Sequence, residues 1–86
     1  MKLAYLPLFV KKLKKKTKSN PNLKPKLTKQ INLLLQDIHH PSLKVHKLKG
    51  SRKEDYSFWI EGDLRIVFKI IEDTYIFTDL ITHDKY

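Results

Sequence analysis

The sequence predicts an α+β fold, with two N-terminal helices packed on one face of a small, mainly antiparallel sheet. Three observations predict it. Apolar residues recur at helical spacing between Leu6 and Ile38, then alternate with other residues from Tyr56 onward. The break between the two periods is marked by His39-His40-Pro41, and the later strands are separated by short polar turns. The 86 residues with 41% hydrophobic content suit one small domain, expected to span 1–86.

Each element follows in order. Lys2 to Leu6 reads as a short first strand, and Pro7 then suits the first turn of a helix, where its missing N–H costs little. Leu6, Phe9, Val10 and Leu13 form that helix's apolar stripe, with lysines over most of the remaining surface. Ser19-Asn20-Pro21-Asn22 breaks it and offers a cap to the next helix. Leu23, Leu27, Ile31, Leu34, Leu35 and Ile38 make the second stripe; Pro25 is tolerable only in a first turn, so this helix starts near Asn22 or Leu23. His39 and His40 are expected to cap its C-terminus. Leu43 to Leu48 reads as a strand. Tyr56 to Glu61, Leu64 to Ile71 and Tyr75 to Thr82 read as three more, joined at Gly62 and at Glu72-Asp73-Thr74 as an antiparallel meander.

Charge is distributed unevenly. The net charge is +9, yet residues 1–53 hold 15 of the 18 Lys and Arg with one acid, Asp37, whereas residues 54–86 hold eight acids and three bases. A basic half of this kind implies a polyanionic partner: nucleic acid, ribosome, membrane surface or acidic protein. There is no cysteine, which excludes disulfides and thiolate metal sites and fits a reducing cytoplasm. The apolar run Leu3 to Val10 is too short to span a membrane, and its lysines follow it, the reverse of a secretory signal. A cytoplasmic protein with no membrane partner is therefore expected.

The alternation also sorts residues by face. If Tyr56, Phe58, Ile66, Phe68 and Ile70 point toward the helices, then Ser57, Trp59, Arg65 and Lys69 share the opposite face. Arginine and tryptophan together offer phosphate binding and base stacking. His46 and His83 add groups that titrate near neutral pH. Lys47 and Lys49 point the same way along their strand and His46 the other, unless a bulge intervenes. No Cys or third ligand accompanies His39-His40 at useful spacing, so neither metal nor cofactor is expected.

Three segments carry a resemblance. His40-Pro41-Ser42-Leu43-Lys44-Val45-His46-Lys47-Leu48-Lys49-Gly50, Asp63-Leu64-Arg65-Ile66-Val67-Phe68 and Thr82-His83-Asp84-Lys85-Tyr86 resemble, in that order, the RelE/ParE toxin superfamily of type II toxin–antitoxin systems, and most closely its YafQ-type branch. The resemblance implies a ribosome-dependent, metal-independent mRNA endoribonuclease that inhibits translation. It also implies a cognate, acidic antitoxin that holds the toxin inactive in a hetero-oligomer. By matching position it implies that Arg65 contacts the scissile phosphate, that His83 is the C-terminal catalytic histidine, that His46 is a second histidine of the branch and that Tyr86 is the terminal aromatic, the four forming the catalytic group. The lysine pair of RelE would fall near Ser57 and Trp59, and neither is basic here. A further histidine of the YafQ-type branch, near Trp59, is also missing.

The chemistry so implied needs a base to take the 2′-OH proton, an acid to protonate the departing 5′-oxygen, and cations for the charge gathering on phosphorus. His83 as acid and His46 as base, with Arg65, Lys44, Lys47 and Lys49 near the phosphates, supply these parts; the opposite assignment of the histidines fits the sequence equally well. Two other readings stay open: a ParE-like toxin that inhibits DNA gyrase, and a non-catalytic family member that binds only antitoxin and RNA.

Overall fold

A computed structural model describes residues 1–49 and 54–82. Strand β1 (Lys2–Tyr5) leads into α1 (Pro7–Ser19) and α2 (Leu23–Gln36); a 3-10 turn (Pro41–Leu43) precedes β2 (His46–Lys47), β3 (Tyr56–Glu61), β4 (Leu64–Ile71) and β5 (Thr74–Thr82). The strands form one sheet in the order β1-β5-β4-β3-β2. Its pairs are antiparallel except β1 with β5, which run parallel and are joined by a long crossover through both helices and the other strands. The α+β fold read from the sequence is the fold observed.

Pro7 occupies the first turn of α1, as its fixed φ favours. Asn22 holds the N-cap position of α2 but makes no side-chain capping bond; its own backbone is already helical at φ −67° and ψ −9°. α2 stops at Gln36, earlier than its apolar stripe implied, with Asp37 as C-cap. The histidines do not cap it. His40 instead caps the following 3-10 turn, its Nδ1 accepting from the Ser42 N–H at 3.2 Å.

The core is a layer of aromatic rings between helices and sheet. Phe9 of α1 meets Phe77 of β5 edge-on at 5.5 Å, and Phe58 meets both Phe68 and Phe77 at 5.6 Å. Leu23, Leu27 and Leu34 of α2 and Leu43 of the 3-10 turn close the cluster. Edge-to-face pairs of this kind add about 0.5–1.5 kcal/mol each beyond the area they bury. Burial raises the Tyr75 phenol above its ordinary 10.0 by disfavouring the phenolate. Two irregularities, between Trp59 and Glu61 and between Val67 and Phe68, bend the sheet.

The segment expected to be a strand from Leu43 to Leu48 is shorter and differently built. Leu43 ends the 3-10 turn fully buried, Lys44 takes a left-handed conformation at φ 50°, and only His46 and Lys47 pair with β3. The left-handed residue redirects the chain from the 3-10 turn onto the sheet edge. Gly62, at φ 52°, turns β3 into β4 as its position between the two strands predicted. Among the described residues no helix is long and apolar enough to cross a membrane.

Candidate functional site

The strand register decides which side chains share the face away from the helices. Antiparallel partners directly opposite one another point to the same side of a sheet. His46 pairs with Ser57, and Ser57 with Val67; in the next row Trp59 pairs with Arg65, and Arg65 with Ile81. None of these belongs to the aromatic core, although Ser57 and Val67 are buried. His46, Trp59 and Arg65 therefore lie on one face. From strand spacing alone, the Cα atoms of His46 and Arg65 are roughly 12 Å apart, near enough for their side chains to converge on one nucleotide.

Lys47 lies elsewhere. It pairs with Tyr56, whose ring stacks on core Phe68 at 5.6 Å, and its ammonium sits 5.7 Å from the Tyr56 ring. The sequence left open whether His46 or the lysines belong with Arg65, and the register puts His46 there. Lys49 is exposed beyond the end of β2.

Arg65 is half-buried on β4, and among the described residues its buried Nε and Nη1 have no hydrogen-bond partner. Among the described residues no salt bridge joins Arg65 to Glu61 or Asp79. Glu61 instead pairs with Lys26 at 2.7 Å, and Asp79 with Lys12 at 2.6 Å. Unsatisfied guanidinium donors in a folded protein are costly, so the position is poised to accept an anion. At the other end of the same face Lys69 is engaged by Asp55 at 2.7 Å. Hydrogen bonding to Asp55 and the carboxylate's charge raise the Lys69 pKa above 10.5.

His46 is exposed on the edge strand, and its Nδ1–H donates to the Lys44 carbonyl at 3.1 Å. That bond fixes the neutral tautomer, so Nε2 is the basic nitrogen. His46 also borders a cleft of about 590 Å³ whose walls include His39, His40, Lys44 and Tyr56. Trp59 is held at the hairpin end by its indole N–H, which donates to the Gly62 carbonyl at 2.8 Å. The Lys44 ammonium stands 4.7 Å from the Trp59 ring centroid, a cation–π contact joining two residues singled out for RNA binding. His83 and Tyr86 lie outside the described residues. Among the described residues no three His, Cys, Asp or Glu side chains are grouped to hold a metal ion.

One positioning residue escaped the sequence reading. Gln30 of α2 is buried, and its Nε2 donates to the carbonyls of Trp59 at 2.8 Å and Ser42 at 3.2 Å. It ties the helix to both segments that deliver the site, the β3 irregularity and the 3-10 turn. A polar residue three after Leu27 and four before Leu34, squarely within an apolar stripe, was the available signal.

A family model described as the bacterial toxin of type II toxin–antitoxin systems, YafQ, matches residues 1–86. The chain belongs to the YafQ toxin family. Solved structures agree in fold. YafQ in the E. coli DinJ-YafQ complex is 24% identical, with a TM-score of 0.77 over 96% of this chain and 93% of that one. A metal-bound toxin from Helicobacter pylori is 28% identical, with a TM-score of 0.81 over 99% and 97%. A YoeB/ParE toxin from Agrobacterium tumefaciens is 16% identical, with a TM-score of 0.80 over 96% and 99%. No functionally curated protein matches the sequence. Membership of the YafQ family agrees with the RelE/ParE resemblance carried by the His40–Gly50, Asp63–Phe68 and Thr82–Tyr86 segments.

Proposed function

We propose that this YafQ-family toxin is a ribosome-dependent, metal-independent mRNA endoribonuclease. The observation that carries the reading is Arg65: two buried guanidinium nitrogens without partners among the described residues, on the face that also holds His46 and Trp59. Arg65 receives the scissile phosphate. His46 Nε2 takes the 2′-OH proton as the 2′-oxygen bonds to phosphorus, and the bond to the 5′-oxygen breaks. That oxygen collects a proton from His83, the residue after Thr82 in sequence. The products are a 2′,3′-cyclic phosphate, which water opens to a 3′-phosphate, and a 5′-hydroxyl. Trp59, Lys44, Lys49 and Tyr86 hold the bases and neighbouring phosphates. General-base and phosphate-stabilising groups are each worth about 10²–10⁴ in rate in such chemistry.

A cognate antitoxin is the expected protein partner, as DinJ is for the E. coli YafQ crystallised with it. The basic first half of the chain suits both an acidic antitoxin and ribosomal RNA. The cell's cytoplasm, where ribosomes and mRNA are found, is the proposed location.

The test is cleavage of a defined mRNA on programmed ribosomes, beside an mRNA carrying one 2′-deoxynucleotide at the mapped cleavage position. The proposal expects a cut with a 5′-hydroxyl end, insensitive to EDTA beyond its effect on the ribosome, that the deoxy substitution abolishes. Intact mRNA with a folded toxin that still arrests growth would sink the nuclease reading and direct attention to gyrase supercoiling.

A further inference from the structure

Pro41 has no N–H, so the donors of the 3-10 turn are those of Ser42, Leu43 and Lys44. His40 receives two of them. Its carbonyl accepts from the Leu43 N–H at 3.0 Å and its ring Nδ1 from the Ser42 N–H at 3.2 Å, while Lys44 reaches the Pro41 carbonyl at 3.3 Å. The basic arm of the site follows directly. Leu43 enters the core, Lys44 turns at φ 50° and its ammonium stands 4.7 Å from the Trp59 ring. The Lys44 carbonyl in turn accepts from the His46 ring at 3.1 Å. His40 therefore stands at the root of both contacts.

A backbone N–H can only donate, so His40 Nδ1 presents a lone pair and the ring is neutral, with its proton on Nε2. A proton on Nδ1 sets donor against donor. The Ser42 hydroxyl, 2.9 Å from the same nitrogen, can reverse its role and follow the ring; the Ser42 N–H cannot. The cleft that the ring lines brings His39, Lys44, His46 and the Tyr56 phenol toward it, with Ile70 from β4. Asp37, whose carbonyl accepts from the His40 N–H at 3.0 Å, is the nearest acid in sequence, and its carboxylate is engaged by the His39 N–H.

We propose that His40 is a positioning residue for the RNA site: in its neutral form it holds the turn that sets Lys44 on Trp59 and His46 on the sheet edge, and protonation releases that arm. The site is thereby assembled at neutral pH and loosened by acid. The proposal rests on the nuclease reading only in taking Lys44, His46 and Trp59 as RNA contacts; its test reads their placement and needs no cleavage.

Trp59 is the chain's single tryptophan, so tryptophan emission comes from the residue beneath Lys44. Emission of the full chain is followed from about pH 8 to about pH 5, with native circular dichroism checked throughout, and the NMR signal of the Ser42 amide is read alongside. Lys44→Ala supplies the signature of a lost contact. His40→Asn keeps an acceptor for the Ser42 N–H that does not titrate, and His40→Ala removes it. His39→Gln, His46→Gln and His83→Gln remove the other three histidines in turn. The wild type is expected to shift toward the Lys44→Ala emission as the pH falls, its Ser42 amide moving with the same midpoint. His40→Asn is expected to hold its starting emission throughout, His40→Ala to show the acid emission from the outset, and the three glutamine variants to keep the wild-type transition. An emission independent of pH would overturn the proposal, as would a transition that survives in His40→Asn or vanishes in a glutamine variant. So would a His40→Ala protein whose urea midpoint falls while its emission stays that of the wild type, the mark of a cap that stabilises without positioning.

Discussion

The side-chain amide of Gln30, buried in α2, donates to the backbone carbonyl of Trp59 at 2.8 Å, where β3 departs from regular pairing. The same nitrogen reaches the Ser42 carbonyl in the 3-10 turn. Two segments remote in sequence are thereby set at a fixed distance, and the residues they carry, Trp59 and Lys44, meet through a cation–π contact. Gln30→Leu removes both donors while roughly preserving volume and leaves two carbonyls without that partner. The expected loss is about 1–3 kcal/mol, measurable as a lower urea midpoint with an unchanged slope. Gln30→Glu is expected to lose more at neutral pH than at pH 4, because only the protonated acid can donate.

Arg65 makes a prediction of opposite sign. Its buried Nε and Nη1 have no partner among the described residues, so the folded protein bears their desolvation. Arg65→Met keeps the length and removes the charge, and is expected to stabilise the fold by about 1–2 kcal/mol while abolishing RNA cleavage. Loss of both stability and activity in this variant would mean that the arginine is structural.

Lys44 sits at φ 50°, a conformation that costs a non-glycine residue about 1–2 kcal/mol. Lys44→Ala loses the contact to Trp59 and keeps that cost, whereas Lys44→Gly loses the contact and relieves it. The glycine variant is expected to be more stable than the alanine variant by about 1 kcal/mol in thermal or urea unfolding. Both are expected to bind RNA more weakly than the wild type.

The Lys69–Asp55 ion pair supplies a pH signature. Hydrogen bonding to Asp55 raises the folded-state pKa of Lys69 above its ordinary 10.5. The pair's contribution is therefore complete below about pH 10 and is lost as the pH rises through the folded-state value. Lys69 is substantially exposed, so the effect stays below about 1 kcal/mol. Lys69→Met is expected to flatten the fall in stability on the alkaline side, read from urea midpoints between pH 8 and pH 12.

Much of this architecture is legible in the residues. Pro7, the Leu23–Leu27–Leu34 stripe and the alternation through Phe58, Ile66 and Phe68 specify helices and strands by local physics, and the same alternation placed Trp59 with Arg65. What was not legible depends on tertiary context. Leu43 and Val45 alternate like a strand, yet Pro41 starts a 3-10 turn that His40 caps, and packing of Leu43 into the core holds Lys44 in a conformation its side chain disfavours. The irregularity at Val67 and Phe68 leaves no mark in sequence; Thr78 Oγ donates to the Val67 carbonyl there. Gln30 read as an interruption of an apolar stripe. Its meaning required knowing which carbonyls lay opposite.

The most direct test of the account is whether one face of the sheet carries the chemistry. Single-turnover cleavage of mRNA on programmed ribosomes would compare wild type with His46→Ala, Arg65→Ala and Lys47→Ala. The account predicts losses of about 10²-fold or more for His46→Ala and Arg65→Ala, and less than about fivefold for Lys47→Ala, whose side chain lies over Tyr56 on the other side. Near wild-type cleavage by Arg65→Ala, or a Lys47→Ala defect as deep as that of His46→Ala, would contradict it.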